Sequence, residues 1–260
     1  MRELLALAEE AARRAGTVIM PRYGKVEVDF KGDGSPITEA DRASHLVICD
    51  LLAPSGMRIV SEEGDGLHLD AQRYWLVDPL DGTKDFLACN NEFTVNIALI
   101  EDGRAVLGVI FAPALGELFA GGPKFGCIHE KDGLRTRVPN IPENARPRMA
   151  ISRFHDHPDI GLFAAANGIA ETVPTGSSLK FGRLAIAEAD VLPRLVGSSE
   201  WDTAAGQALL EGAGGKVLDW ATGQTLLYGK PRRRNPRLLS LRAPYRYENF
   251  VLQHYETDIE

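Results

Sequence analysis

The chain has 260 residues, 44% of them hydrophobic and 25% charged, with a net charge of −7. Such a composition suits a globular protein with one sizeable core or two lobes sharing one, and its acidic balance argues against a general binder of nucleic acid or anionic membrane. Cys49, Cys89 and Cys127 are widely spaced and form no Cys-x-x-Cys pair, so neither a zinc site nor a disulfide framework is indicated and a reducing cytoplasm is expected.

In chain order, Leu4, Leu7, Ala8, Ala11 and Ala15 recur at three- and four-residue spacing and predict a first helix, stopped by Pro21. Charges interrupt its apolar runs, so no secretory leader is expected there, and no stretch of the chain reaches membrane-spanning length. A loop follows at KGDGSP. A second helix is expected from Thr38 to about Leu52, before Pro54. Met57–Val60 and Tyr74–Val77 read as short strands, each followed at once by acidic residues. Phe93, Val95, Ile97 and Leu99 alternate on one face, Asp102-Gly103 forms a turn, and Ala105–Phe111 returns, which predicts a hairpin. The Gly-, Pro- and charge-rich stretch from about Gly121 to Arg148 reads as a boundary between lobes. Beyond it, strands are expected at Met149–Ser152, Val191–Leu192, Lys216–Leu218 and Leu238–Leu241, and helices at Ser178–Ala189 and Thr203–Glu211. Helices and strands mix throughout, which points to a layered α+β or α/β sandwich.

The sharpest feature is Asp78-Pro79-Leu80-Asp81-Gly82-Thr83, directly after the strand YWLV. Pro79 fixes its own φ and favours a tight turn that sets both carboxylates on one side. Gly82 permits close backbone approach, and Thr83 opens a short helix, Lys84–Cys89, whose N-terminus suits an anion. Hard oxygen ligands beside a phosphate cradle match magnesium chemistry. The plainer alternative is an Asp-rich turn with a capped helix. Glu62 and Glu63 end the preceding strand; two adjacent glutamates are usually solvated surface, but strand ends collect ligands in open sheets. Asp202, in Trp201-Asp202-Thr203-Ala204-Ala205-Gly206, is an N-cap, a ligand, or both. Thr38-Glu39-Ala40-Asp41 reads as a capping box with Asp in the acidic place, and Asp41 also suits the polarising of a water or of Thr83. Gly176-Ser177-Ser178-Leu179-Lys180 reads as a turn and cap, and Arg194 as a phosphate or base partner or, more commonly for its type, a surface arginine. His155-Asp156-His157 and Arg232-Arg233-Arg234 read as solvated loops, and Cys89 and Cys127 lack a visible activating partner.

The ordered set Glu62-Glu63, DPLDGT at 78–83 and WDTAAG at 201–206 resembles the inositol-monophosphatase superfamily, from about residue 5 to about residue 240. SPITEAD (35–41), RYWLVDPLDGTKDF (73–86), EFTVNIALI (92–100) and GSSLKF (176–181) are most similar to its bacterial CysQ-type 3′(2′),5′-bisphosphate nucleotidases. The resemblance implies an αβαβα sandwich of α+β class, with an N-terminal lobe at 1–140 carrying most metal ligands and a C-terminal lobe at 141–260 carrying specificity residues and the last ligand. It implies two or three Mg²⁺, with Mn²⁺ a substitute, on Glu62, Asp78, Asp81, Asp202 and the Leu80 carbonyl. Glu63 would be a nearby acid, and Asp41, Glu62 and Thr83 would act on the attacking water. Gly82 and Thr83 would hold the phosphate, together with the metal-bearing Glu62, Leu80, Asp81 and Asp202. Ser178, Lys180 and Arg194 would face the nucleotide. The implied reaction releases the 3′-phosphate of adenosine 3′,5′-bisphosphate (PAP) or its sulfated form PAPS, in sulfur metabolism, with lithium sensitivity. Alternatives are an inositol monophosphatase or other sugar-phosphate phosphatase with the same mechanism and, remotely, a non-catalytic calcium- or nucleotide-binding protein. The resemblance also implies a homodimer and a cytoplasmic enzyme, with a peripheral place on the inner membrane face as a variant. PKFGCIHEKDG (123–133) and the tail from Ala243 to Glu260 depart from the pattern and receive no site.

Overall fold

The computed structural model describes residues 1–25, 28–30, 36–64, 71–139, 142, 146–154 and 157–252. The KGDGSP loop up to Ser35, the pair His155-Asp156 and the tail past Leu252 lie outside the described residues. In the first half the chain forms α1 (Arg2–Ile19), β1 (Val28–Phe30), β2 (Pro36–Thr38), α2 (Glu39–Leu52), β3 (Arg58–Ser61), β4 (Arg73–Asp81), α3 (Thr83–Leu87), β5 (Thr94–Glu101), β6 (Arg104–Ala112), β7 (Glu117–Gly122), β8 (Gly126–Lys131) and β9 (Leu134–Arg137). It continues with β10 (Arg148–Ile151), α4 (Ile160–Ala166), β11 (Glu171–Pro174), α5 (Leu179–Ala185), β12 (Val191–Arg194), β13 (Ser198–Ser199), α6 (Ala204–Gly212), β14 (Lys216–Asp219), β15 (Arg234–Asn235) and β16 (Leu238–Leu241).

Strands β3 to β9 form one sheet in sequence order, antiparallel except for the parallel pair β3–β4. The expected hairpin is β5–β6, and its central residues Asp102 and Gly103 both have positive φ, as a two-residue turn matching strand twist requires. Alternation carries Trp75, Val77, Val95, Ile97, Leu99, Leu107 and Val109 to a face covered by α1 and α2. The opposite face, with Tyr74, Leu76, Ala98, Ile100 and Ile110, is buried as well, under α5 and α6. Each large apolar side chain so buried contributes about 1.5–3 kcal/mol before entropy is charged against it. The stripe Ala8, Ala11, Ala12 and Ala15 lets α1 lie close on the sheet, since small side chains hold the backbones near.

A second sheet has the order β11-β10-β12-β16-β14. Its Ala150, Leu192, Val217 and Leu238 join the core beneath α5 and α6, while Met149, Val191, Leu239 and Leu241 face Phe163 of α4, Trp220, Tyr245 and Phe250. The layers therefore run helix, sheet, helix, sheet, helix, as an α+β αβαβα sandwich. Tyr245 and Phe250 give the described start of the tail a packing role. No helix among the described residues is long and apolar enough to cross a membrane.

One expectation is corrected here, the C-terminal end of α5, and the stretch read as a boundary between lobes is partly sheet. The stretch 121–148 holds β8 and β9, which extend the first sheet; its charge and glycine mark an edge, and every residue of β9 is exposed. Charged side chains suit an unpaired sheet edge, so composition there resembles a linker. Helix α5 ends at Ala185 rather than Ala189, because Ala187 turns into the left-handed region (φ 58°).

The approach of α6 to the first sheet depends on Gly108 of β6. A Cβ there would stand 2.3 Å from the Ala205 carbonyl oxygen, a backbone atom of α6. Gly108→Ala is expected to lower stability by about 1–3 kcal/mol, measured as a lower urea midpoint with an unchanged slope.

Candidate active site

The site begins where two parallel strands end side by side. Ser61 of β3 pairs with Val77 of β4, and the Glu62 N–H donates to the Val77 carbonyl at 3.0 Å. Glu62 thus leaves the sheet beside Asp78. Along β4, Asp78 faces Asn96 and Asp81 faces Thr94, so three steps on β4 oppose two on β5. Residues three apart on a regular strand point to opposite faces; the extra residue of this bulge returns Asp81 to the side of Asp78. Pro79, which lacks an N–H, sits where the ladder is interrupted and asks for no donor. The Leu80 N–H closes the bend on Asp78 Oδ1 at 3.1 Å.

Asp202 comes from the other half, just ahead of α6. It does not cap the helix: its Oδ2 accepts from the Ser199 N–H at 2.9 Å and from Arg194 Nη2 at 3.3 Å. One carboxylate oxygen from each of Asp78, Asp81 and Asp202 lies within 4.8 Å of the others, a separation that one divalent ion spans. Glu62 and Asp41 complete the acidic setting, since both act electrostatically on Asp78.

Burial pushes the Asp78 carboxyl well above the usual carboxylate range, and the charges of Glu62, Asp81, Asp202 and Asp41 push it further. Asp202 is raised to about 7, first by burial, against the pull of Arg194 and with added repulsion from Asp81 and Glu62. Buried acids elsewhere are paired differently. Glu117 meets both nitrogens of Arg183 at 2.8 and 2.7 Å, Asp190 meets Arg148 and Arg242, and Glu200 meets Arg233 at 3.2 Å. The Asp78 cluster is made of acids facing acids, and its hard oxygen donors fit a divalent cation.

The remaining expected residues fall around this cluster. Asp41 is buried in the first turn of α2, where its Oδ2 accepts from the Thr38 N–H at 2.8 Å and the Thr38 hydroxyl at 2.5 Å, the capping box foreseen. Gly82 adopts φ 86° and starts α3 at Thr83, one residue before the expected start. Glu63 is half-buried in the turn after Glu62. Ser178 is buried; its N–H reaches Asp81 Oδ2 at 2.6 Å, and its hydroxyl lies between that same oxygen and the Asp202 carbonyl. Lys180 is buried too, with its ammonium on the Thr175 carbonyl at 3.1 Å.

Four residues were not foreseen. Asn96 joins Asp81 Oδ2 at 3.2 Å to Ser178 Oγ at 2.9 Å; its signal was a polar side chain inside an apolar strand. Glu92 accepts from the Gly176 N–H at 2.7 Å and, through its carbonyl, from the Ser177 hydroxyl at 2.7 Å, so it seats the 176–178 turn on the first half. Arg233, expected in a solvated basic run, is 2% exposed and lies over the Tyr74 ring. It pairs with the buried Glu200, whereas its neighbours Arg232 and Arg234 are exposed. His157 is likewise buried, and its Nδ1 accepts from the Asp159 N–H at 3.1 Å before α4. Burial raises the Cys127 thiol to about 12, which rules it out as a nucleophile at neutral pH.

The chain is similar to known proteins over most of its length. Residues 1–248 match the inositol monophosphatase family. The chain is 39% identical over 246 residues to the 3′(2′),5′-bisphosphate nucleotidase CysQ of Escherichia coli K12, covering 91% of this chain and 96% of that protein. It is 42% identical over 228 residues to the CysQ nucleotidase of Salmonella typhimurium, covering 84% and 91%. The crystal structure of CysQ from Bacteroides thetaiotaomicron superposes with a TM-score of 0.85 at 32% identity, covering 94% of this chain and 99% of that one.

The electrostatics set a pH dependence. Between its ordinary value of 3.8 and about 7, the folded metal-free protein keeps a proton on Asp202 that the unfolded chain has released. Stability then falls as pH rises through that window. The metal-free melting temperature is expected to drop from pH 5 to pH 7.5, and Asp78→Asn to raise it at pH 7.5 while abolishing any rise on adding a divalent ion. A separate expectation concerns the buried pair: Arg233→Ala should cost about 1.5–3 kcal/mol, the loss of one charged hydrogen bond, since Glu200 keeps Lys230 Nζ at 3.2 Å and the N–H groups of Gly229 and Lys230; chemical denaturation measures it.

Proposed function

The chain belongs to the inositol monophosphatase family, and on that premise we propose that it is a phosphoric monoester hydrolase acting on a 3′(2′),5′-bisphosphate nucleotide, releasing the 3′-phosphate of PAP or PAPS in sulfur metabolism. The observation that carries this reading is the Asp78–Asp81–Asp202 cluster, in a chain whose CysQ relatives align over most of its length.

Glu62, Asp78, Asp81, Asp202 and the Leu80 carbonyl are the groups proposed to hold Mg²⁺, as two or three ions. When bound, Mg²⁺ supplies Lewis acidity toward the phosphate ester and toward water. The chain's own groups supply the rest. Asp41 is a buried carboxylate at the start of α2 and, with Thr83 and Glu62, is assigned to orient the attacking water and take its proton. The Gly82 and Thr83 N–H groups are assigned to the phosphate, because a backbone turning into a helix start presents donors to an anion. The left-handed conformation of Gly82 suits that turn, and a side chain there would meet Ser177 Cβ at 3.0 Å. Arg194, beside Asp202, is assigned to the anionic substrate. Ser178 and Lys180 serve the nucleotide side by shaping the 176–180 turn. Glu63 supports Glu62 from the adjacent position.

We further propose lobes at 1–140 and 141–260, a homodimer, and a cytoplasmic place. The three cysteines stand free, which supports a reducing compartment.

Phosphate release from the purified protein with Mg²⁺ is expected to be fastest on PAP, and slow on inositol 1-phosphate and fructose 1,6-bisphosphate. Preference for either sugar phosphate would keep the metal chemistry and discard the nucleotide. Asp81→Asn should lower turnover by more than the about 10–100-fold that an outer-shell change costs, with the fold intact by circular dichroism. Near-normal turnover in that variant would remove Asp81 from the metal ligands.

A further inference from the structure

Helix α2 meets the site with more than Asp41. Asp41, Ser44 and His45 stand at i, i+3 and i+4, so they share one side of the helix. Ser44 is fully buried, and its hydroxyl donates to the Pro79 carbonyl at 2.7 Å. Pro79 is the residue between Asp78 and Leu80, inside the bulge, where the register breaks. His45 Nδ1 and Ser61 Oγ are hydrogen-bonded at 2.8 Å. Ser61 is itself buried and immediately precedes Glu62. Adjacent residues of one helix thus grip both acidic segments, one at each strand end.

Those segments need such a grip. Strand pairing is interrupted at the bulge, and the chain turns away from β3 after Ser61. The carboxylates they carry repel one another until a cation arrives. A site that must be drawn together on binding loses affinity to the ordering it still has to do. His45 also packs on the turn after Glu62: a Cβ on Gly64 would lie 3.5 Å from the imidazole Cε1 and 3.4 Å from the Ser61 carbonyl. Cys49, one turn on, has its sulfur 3.7 Å from the ring. Burial and the Asp50 charge raise that thiol, so it stays protonated and acts by packing.

We propose that Ser44 and His45 are positioning residues, which hold the Asp78–Asp81 bulge and the Glu62 turn at the spacing a divalent ion requires. The inference rests on the metal reading of the site. Both act through hydrogen bonds to neighbours of the proposed ligands, Ser44 through Pro79 and His45 through Ser61.

The test is a Mg²⁺ titration followed by thermal melting and, in parallel, by phosphate release, on the full chain and on Ser44→Ala, His45→Ala and His45→Asn. The half-saturating Mg²⁺ concentration is expected to rise about 10-fold or more in both alanine variants, with kcat recovering at saturating Mg²⁺. His45→Asn, which offers a polar atom near the place of Nδ1, should titrate like the parent chain. Ile48→Val, in the buried core of the same helix, should lower metal-free melting and leave the half-saturating concentration alone. Alanine variants that titrate like the parent overturn the inference while the metal reading stands. A parent chain whose melting ignores Mg²⁺ overturns both. Should Ser44→Ala not fold, the two variants at half-buried His45 decide: equal impairment in His45→Asn and His45→Ala overturns the hydrogen-bond role.

Discussion

Repulsion among carboxylates gathered in one partly buried place is the constraint around which this structure is arranged. Asp78, Asp81 and Asp202 approach within 4.8 Å, with Glu62 and Asp41 near enough to act on Asp78. Left to local preference, such groups would separate into water. They are held by neutral donors: the Ser178 and Asn96 side chains on Asp81, the Leu80 N–H on Asp78, and the Ser199 N–H on Asp202. The one cation bonded to the three aspartates among the described residues is Arg194. Neutral donors fix the positions of the oxygens while leaving most of their charge for an ion.

The layered fold supplies what local sequence has no means to supply. Its first sheet is covered on both faces, so its strand ends have little freedom, and the bulge at Asp78–Asp81 is set in an otherwise regular ladder. Helix α6 lies between the two sheets and brings Asp202 from the second half to the end of β4. Its close approach depends on Gly108. Stability and chemistry meet at that layer, since its spacing sets the distance from Asp202 to the other two acids.

Buried ionic groups elsewhere show the same chain solving the opposite problem. Glu117, Asp190 and Glu200 are all fully buried, and each has an arginine at hydrogen-bond distance. Arginine suits the task because its charge does not titrate and its planar fork satisfies both carboxylate oxygens. Where an acid serves architecture it is neutralised by a side chain. Where it serves the site it faces other acids.

Much was legible from residues in line. The alanine stripe of α1, the capping box of α2, the Asp102-Gly103 hairpin and the acidic residues at the ends of β3 and β4 follow from local rules of period, capping and turn chemistry, which act over a few residues. The turn DPLDGT announced its two carboxylates because proline and glycine restrict the backbone directly. Only the tertiary structure decided the rest. It added β8 and the edge strand β9 to the first sheet, buried Arg233 and His157, turned Ser178 toward Asp81, and set Glu92 under the 176–178 turn. It also placed Ser44 and His45 on segments that lie 35 and 16 residues further along the chain. The sequence determined which side chains are able to take part, because period and turn chemistry are properties of neighbours. Which of them meet was decided by packing between elements remote in the chain, and that depends on the whole core rather than on any window of it.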